Sequence, residues 1–315
     1  MSFLRFTHQT CFAALLSCSL IAPTIAADNE DPLGEFLAKQ LAIQENNPYA
    51  APRLDQPNYV HQQTNSNLSG LSLLAKSALI MNANTGQVLY HKNMDAVRPI
   101  ASISKLLAAM VVLDGNLDMS QPVTITDAEI DRLKGTRSRL TIGTTLTRQQ
   151  LLHIGLMSSE NRAMHALGRT YPGGMAAFVQ AMNDKARSLG MNNSRFYEPT
   201  GLDPRNVSTA RDLSIMVRAA NQYPQIRQLS TAHSGWVYTH DGRVINYGNT
   251  NPLVHDANWN VSVQKTGNLN EAGQSMVLQA QVGRESVVIV VLGSKTKYTR
   301  VSDARALGSI VSPVF

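Results

Sequence analysis

One stretch of the sequence, residues 99–113, constrains the fold and the chemistry of this chain more than any other. It contains Ser102 and Lys105, followed by an apolar run without glycine or proline that predicts a helix. Three residues apart on a helix, the two side chains would share one face, with Cβ atoms about 5–6 Å apart. The amine could then take the hydroxyl proton, which a weak nucleophile requires. A capping serine and a solvated lysine would give the same spacing, so the pair needs support from elsewhere in the chain.

The first 26 residues, 1–26, have the pattern of a secretory signal peptide. Arg5 precedes an apolar stretch, and small residues follow that stretch as a cleavage site. Cys11 and Cys18 both lie in this segment, so the mature chain would have neither a disulfide nor a thiolate metal site. A second interpretation of the same segment is lipoprotein processing at Cys18.

The composition is typical of a globular protein, with 43% hydrophobic and 16% charged residues among 315. The net charge of +6 suits an anionic polymer or an envelope surface. The basic residues form no extended cluster, and we expect no nucleic-acid partner. Two short basic runs, at 185–187 and 295–300, are predicted to be solvated. No later stretch approaches 18 unbroken apolar residues, so no transmembrane span is expected in the mature chain.

The order of predicted elements indicates one folded domain, 76–315, preceded by a polar arm or linker at 27–75 whose role the sequence leaves open. Strands at both ends with helices between them predict an α+β fold, in which the C-terminal strands complete a sheet and a helical subdomain, roughly 115–222, is inserted. The predicted elements are a hairpin over 78–91, the helix after Ser102, helices over 146–157, 175–189 and 210–223, a hairpin at Asp241 and Gly242, strands over 262–265, 275–282 and 286–292, and a helix over 300–311.

Two further motifs follow at places where a serine–lysine enzyme would need them. Ser159 and Asn161 come just after a predicted apolar helix, and in an extended loop their side chains would point the same way. Lys265, Thr266 and Gly267 come at the end of a predicted strand, whose edge could pair with an extended peptide. Lys265 would supply positive charge for a carboxylate, and Gly267 would allow close backbone approach.

Together the three motifs resemble the set found in penicillin-binding proteins and class A β-lactamases. From about residue 78 to residue 306, the chain resembles the low-molecular-mass penicillin-binding proteins of the D-alanyl-D-alanine carboxypeptidase and endopeptidase family. The resemblance implies an α+β, β-lactamase/transpeptidase-like fold, with a mainly antiparallel sheet flanked by helices. Further signatures of that family lie at 134–138, 157–163, 199–202 and 208–213.

The resemblance also implies the catalytic roles. Ser102 would be the acylated nucleophile, Lys105 the base that activates it, and Ser159 the relay of a proton to the leaving amine. The backbone N–H groups of Ser102 and Asn268 would form the oxyanion hole. Lys105 must be neutral part of the time at neutral pH, and burial beside Lys265, a second cation, would lower its pKa from about 10.4.

The remaining motif residues are implied to bind substrate. Asn161 would bind the substrate amide, and Lys265 with Thr266 and Gly267 would hold a terminal carboxylate. Asn268 departs from the aromatic or histidine that relatives commonly carry at this position, which puts substrate preference, but not acylation, in doubt. The resemblance implies neither a cofactor nor a metal, and the eight histidines lack metal-ligand spacing.

The expected substrates are the stem peptides of peptidoglycan in the periplasm, with β-lactam antibiotics as covalent inhibitors. Dedicated carboxypeptidases of the family usually continue into a β-rich domain and an amphipathic anchor, whereas this sequence stops at Phe315. On that resemblance we expect a D-alanyl-D-alanine endopeptidase, with a carboxypeptidase as the alternative.

Two further functions remain as rivals. A β-lactamase is one, because Glu198 and Pro199 resemble the Glu-Pro of a class A deacylating loop. Such a loop should carry Asn four residues after the Glu, and here that position is Leu202. A catalytically inactive peptidoglycan-binding relative is the other, although such proteins typically lose the serine or the lysine.

Overall fold

The computed structural model describes residues 71–312. The predicted signal peptide at 1–26, the alternative lipoprotein site at Cys18 and almost all of the predicted arm lie outside the described residues. Between residues 71 and 312, every helix is too short or too polar to span a bilayer.

Along the described chain, most helices lie between the N-terminal strands and the three long C-terminal strands. The strands are β1 (Ser77–Asn82), β2 (Val88–Lys92), β3 (Arg98–Pro99), β4 (Pro122–Thr124), β5 (Thr145–Thr147), β6 (Val207–Ser208), β7 (Ser234–Tyr238), β8 (Val244–Gly248), β9 (Asn260–Leu269), β10 (Gly273–Val282) and β11 (Glu285–Ser294). The helices are α1 (Ser104–Asp114), α2 (Arg148–Met157), α3 (Asn161–Arg169), α4 (Gly174–Ser188), α5 (Ala210–Ala220), α6 (Pro224–Thr231) and α7 (Lys297–Gly308).

The main sheet has five antiparallel strands in the order β2-β1-β11-β10-β9. The N-terminal hairpin joins the C-terminal strands through β1 and β11, with Leu79 opposite Val290. This arrangement confirms the predicted α+β fold with a mainly antiparallel sheet. Strand β9 lies at one edge of the sheet, so that only one of its sides pairs with a neighbouring strand.

The sheet is buried on both faces, which explains why β1 is apolar at every position from Ala78 to Met81 instead of alternating. Leu79 and Met81 pack into a large core with α1 to α6, whereas Ala78 and Ile80 pack into a smaller core with α7. Successive side chains of a strand point to opposite faces, so both sets must be apolar. Helix α1 lies inside the larger core and is buried along nearly its whole length.

Two helices differ from the sequence-based prediction. The structure has α3, where Glu160 caps the first turn by accepting from the backbone N–H of Arg162. It also has α6, which was not among the predicted helices. Pro224 occupies its first helical position, where the missing N–H costs nothing. Strand β9 continues to Leu269, so Lys265 lies in the middle of a strand and not at its end.

The boundary predicted between arm and domain, at 75/76, stays a prediction, but packing already involves residues before it. Leu73 and Ala75 are buried in the smaller core. The carboxylate of Asp303 in α7 accepts the backbone N–H groups of Leu74 and Ala75, at 3.0 and 2.7 Å. The first described residues therefore lie against α7.

Candidate active site

Ser102 lies in a tight 3-10 turn, Ala101–Ile103, that leads directly into α1. The sequence predicted that Ser102 and Lys105 share a helix, and the structure places the serine two residues before Ser104, where α1 begins. Ala101 has φ of +49°, a left-handed conformation that is uncommon for a residue with a side chain. This conformation turns the chain sharply before the helix and presents a half-buried Ser102 at the helix N-terminus.

Two glycines hold this turn from either side. A Cβ on Gly201 would lie 1.9 Å from the carbonyl oxygen of Ala101, and Gly201 has φ of +80°. A Cβ on Gly267 would lie 2.9 Å from the carbonyl oxygen of Ile100. Backbone from the 199–202 signature and from β9 therefore packs directly against the nucleophile turn, which only glycine permits at these positions.

Lys105 is fully buried and its ammonium nitrogen lies among three oxygen atoms. The Nζ atom is 2.8 Å from Ser102 Oγ, 2.7 Å from Asn161 Oδ1 and 2.5 Å from the carbonyl oxygen of Thr200. The lysine thus contacts the nucleophile and is fixed by partners 56 and 95 residues further along the chain. This contact distinguishes the pair from a capping serine with a solvated lysine.

Burial lowers the pKa of Lys105 from 10.5 to about 7, while the nearby carboxylates of Glu198 and Glu160 act in the opposite direction. A large fraction of this amine is therefore neutral at neutral pH, as a general base requires. The sequence-based account named Lys265 as a further cause. Lys265 is not among the causes of this shift, which are burial and the two carboxylates.

Lys265 is also fully buried, and its Nζ donates to the carbonyl oxygen of Thr266 at 3.1 Å. Burial, followed by repulsion from Lys105 and Arg300, lowers its pKa well below the ordinary value. Arg300 belongs to the basic run that was predicted to be solvated, and that prediction is wrong for this residue, which is 5% exposed. Three buried basic side chains, Lys105, Lys265 and Arg300, thus lie close together in this part of the structure.

The second motif is placed partly as predicted. Asn161 meets Lys105, but it is the first residue of α3 and not part of an extended loop. Ser159 has φ of +62° in the connection between α2 and α3. Among the described residues, Ser159 is not one of the hydrogen-bond partners of Lys105.

The third motif lies along β9, at the edge of the sheet. The hydroxyl of Thr266 is 2.7 Å from the hydroxyl of Thr250, and Gly267 packs on the nucleophile turn. The side chain of Asn268 is exposed and accepts a hydrogen bond from Gln274 at 2.7 Å. The main chain of this strand therefore borders Ser102, while the Asn268 side chain points away into solvent.

The sequence reasoning missed the residues that hold the site from behind. The carboxylate of Glu198 accepts the backbone N–H groups of Thr200 and Gly201, both at 2.6 Å. The buried Asn206 donates to the carbonyl oxygen of Glu198 at 2.8 Å and to Ser104 Oγ at 3.0 Å. The family signature at 199–202 was a signal for this loop, but the supporting role of Glu198 could not be read from it.

A second signature, at 134–138, supports the Ser159 connection. Ser138 donates to Glu160 at 2.7 Å, and Asn161 contacts Thr136 at 3.4 Å. Lys134 pairs with Glu271 at 2.5 Å and so links this loop to the turn between β9 and β10. Within residues 71–312, no group of three or more His, Cys, Asp or Glu side chains is arranged to hold a metal ion.

This geometry, a serine at a helix N-terminus with a buried lysine at 2.8 Å, is the arrangement that a serine hydrolase with a lysine base requires. The family model described as D-alanyl-D-alanine carboxypeptidase matches residues 61–296. Two relatives named D-alanyl-D-alanine endopeptidase, from Pseudomonas aeruginosa and Escherichia coli, are 46% and 45% identical over 236 and 232 residues. These alignments cover 75% and 73% of this chain and 76% and 75% of the relatives.

Among solved structures, the Streptomyces K15 DD-transpeptidase is similar, with a TM-score of 0.70 and 28% identity, covering 76% of this chain and 97% of that one. The chain belongs to the D-alanyl-D-alanine carboxypeptidase family of low-molecular-mass penicillin-binding proteins. It is a serine D,D-peptidase, as the three motifs predicted, and peptidoglycan is the substrate class of its family.

Proposed function

We propose that this protein is a periplasmic D-alanyl-D-alanine endopeptidase, which hydrolyses D-alanyl cross-links between peptidoglycan stem peptides through an acyl-enzyme on Ser102. The main observation that supports this mechanism is the 2.8 Å contact between Lys105 Nζ and Ser102 Oγ. The burial that lowers the Lys105 pKa to about 7 makes this contact productive at neutral pH. The periplasmic location rests on the predicted signal peptide at 1–26.

In the first step, Ser102 Oγ attacks the carbonyl carbon of a D-alanyl residue while Lys105 Nζ takes the hydroxyl proton. The negative charge that develops on the carbonyl oxygen is stabilised by the backbone N–H groups of Ser102 and Asn268. The helix dipole of α1 supports the same charge, since Ser102 lies at its N-terminus. Asn161 keeps Lys105 in place and offers its amide to the substrate backbone.

In the second step, the carbon–nitrogen bond breaks and the leaving amine takes a proton. Ser159 is assigned the relay of that proton from Lys105, and this requires its hydroxyl to turn towards the lysine when substrate binds. Water then attacks the ester, giving up a proton to the same neutral amine, and Ser102 regains its own. A penicillin would acylate Ser102 in the same way, but its leaving nitrogen stays attached to the acyl group.

We assign binding of the terminal carboxylate of the substrate to Lys265, Thr266 and Gly267. Because β9 is an edge strand, an extended peptide can pair with its free side. A bound carboxylate would raise the depressed pKa of Lys265, since an opposite charge nearby favours the ammonium form. Bound substrate would thus favour the charged form of Lys265.

The preference for endopeptidase over carboxypeptidase activity is supported by the two relatives named D-alanyl-D-alanine endopeptidase, at 46% and 45% identity. Relatives named D-alanyl-D-alanine carboxypeptidase match at 28–31%. The exposed Asn268 lies beside the carboxylate position and is available to a longer peptide.

Digestion of purified, cross-linked muropeptides with product analysis tests this proposal. We expect dimers to disappear while monomers accumulate, and we expect Ser102→Ala to abolish both changes. Release of terminal D-alanine from pentapeptide monomers, with the dimers left intact, would identify a carboxypeptidase instead.

A further inference from the structure

The hairpin of β7 and β8 has one face buried and one face exposed. Its exposed face carries Trp236 and Tyr238, each 58% exposed, together with Val244 and Asn246. Trp236 lies opposite Asn246 and Tyr238 opposite Val244. The two aromatic rings meet edge to face, with centroids 5.1 Å apart. Large apolar side chains clustered on a surface in this way commonly mark a binding site.

The other face of the hairpin is fixed to the body of the protein. Val237, Ile245 and Tyr247 are buried in the larger core. A Cβ on Gly235 would lie 2.8 Å from the ring of His153 in α2, so the two elements are in close contact. The two strands that carry the exposed rings are therefore held in place by the packing of their other face.

The same hairpin is tied to the residues on either side of Ser159. Ser158 Oγ donates to the carbonyl oxygen of Gly248 at 2.7 Å, and the hydroxyl of Tyr247 contacts Glu160 at 3.4 Å. At a rise of about 3.4 Å per residue, Asn246 and Val244 lie roughly 7 and 14 Å along β8 from Gly248. The exposed aromatic face thus extends outward from the candidate active site.

The charge on this face excludes some occupants. Arg243 at the hairpin turn pairs with Asp241 at 2.7 Å, and the exposed Arg139 donates to the carbonyl oxygen of Asn246 at 2.7 Å. One further cation beside the hairpin is not the cluster of basic side chains that binds an anionic membrane surface. A second protein copy would need a stable interface of about 1,200–2,000 Å², far more than two rings and a valine can bury. A narrow, uncharged polymer with both apolar and hydrogen-bonding surfaces fits better.

We propose that the exposed face formed by Trp236, Tyr238 and Asn246 is a subsite for the glycan strand of peptidoglycan. The apolar C–H face of a sugar ring packs on an aromatic ring, and its hydroxyl and acetamido groups bond to an amide such as that of Asn246. The inference rests on the proposed function in taking cross-linked peptidoglycan as the substrate. The subsite would hold the glycan while its stem peptide lies at Ser102.

The test compares the W236A/Y238A double variant with wild type, with W236F/Y238F, and with Y298A as a matched control. Tyr298 is 74% exposed and lies in α7, which packs in the smaller core, whereas the hairpin packs in the larger core. Four probes are used: glycan strands stripped of stem peptides, intact sacculi, a synthetic cross-linked peptide dimer without sugar, and a fluorescent penicillin.

We expect W236A/Y238A to bind stripped glycan about tenfold more weakly, the size expected for losing two aromatic contacts. Its cleavage of sacculi at low substrate should slow by a similar factor. Cleavage of the sugar-free dimer and penicillin labelling should stay at wild-type rates, and W236F/Y238F should retain most glycan binding. Y298A should behave as wild type with all four probes.

Unchanged binding of stripped glycan by W236A/Y238A would overturn the subsite. An equal loss on the sugar-free dimer would assign the face to the stem peptide and would also overturn it. Failure of the proposed function looks different: wild type would cleave neither sacculi nor dimer, yet the variant would still lose glycan binding. The two failures are therefore distinguishable.

Discussion

The backbone of Gly201 lies so close to Ala101 that a Cβ at position 201 would stand 1.9 Å from the Ala101 carbonyl oxygen. The same loop supplies the carbonyl oxygen of Thr200, which accepts a hydrogen bond from Lys105. The loop therefore sets the positions of both the nucleophile turn and the base. A change at Gly201 should affect activity even though the residue has no side chain.

We expect Gly201→Ala to destabilise the protein and to abolish penicillin labelling. The left-handed backbone at φ of +80° costs about 1–2 kcal/mol with a side chain, and overpacking adds about 1–3 kcal/mol. Gly242→Ala is a matched control, since Gly242 has φ of +78° but no atom within 4 Å of its Cβ position. Gly242→Ala should lose only the stability that the left-handed backbone costs, and penicillin should label it at the wild-type rate. Urea unfolding and labelling kinetics measure both effects, and equal behaviour of the two variants would contradict the close approach.

Lys105→Arg should abolish covalent labelling by penicillin, because arginine stays protonated and cannot take the Ser102 proton. The comparison is Lys295→Arg, a change at an exposed lysine, which should label at the wild-type rate. Circular dichroism and thermal unfolding show whether each variant is folded. A folded Lys105→Arg protein that labels normally would mean that another group is the base.

The rate of penicillin labelling should follow the neutral fraction of Lys105. Its pKa is lowered to about 7, so the amine is mostly protonated below pH 7 and mostly neutral above it. We expect the second-order labelling rate to fall about tenfold for each pH unit below 7 and to level off above 7. A labelling rate independent of pH between 5 and 7 would contradict this assignment.

Glu198→Gln should shift that pH profile to lower pH, because the negative charge of Glu198 raises the pKa of Lys105. The variant should also lose about 1–3 kcal/mol of stability, since one side-chain oxygen replaces two as acceptor for the N–H groups of Thr200 and Gly201. Glu285→Gln, a change at an exposed carboxylate, should leave the profile unchanged. Deacylation should keep its rate, whereas a long-lived acyl-enzyme would point to a β-lactamase-like role for Glu198.

The fold and the nucleophile–base pair could be predicted because their signals are local. Ser102 and Lys105 are three residues apart, and the apolar strands over 275–282 and 286–292 need only a short turn to pair. The outcome matched these expectations, with β10 and β11 paired around that turn.

Other parts of the site depend on contacts between distant segments and could not be predicted. The carbonyl oxygen of Thr200 accepts a hydrogen bond from Lys105, which lies 95 residues earlier in the sequence. Every residue has a backbone carbonyl group, so the residue type at position 200 gives no sign of this contact. Arg300 was predicted to be solvated because basic runs usually are, yet the packing of α7 on the sheet buries it beside β9. The left-handed conformation of Ser159 gave no sequence signal, since serine does not favour it.

The smaller core, on the side of the sheet opposite α1, has a practical consequence. Leu71, at the start of the described chain, and Ile310 and Val311, near its end, all pack against that core. Both ends of the described domain therefore leave from the face of the sheet opposite α1 and the nucleophile turn. A protein domain, a surface tether or a fluorescent reporter attached at either end would leave the nucleophile open to a substrate as large as a cell-wall sheet.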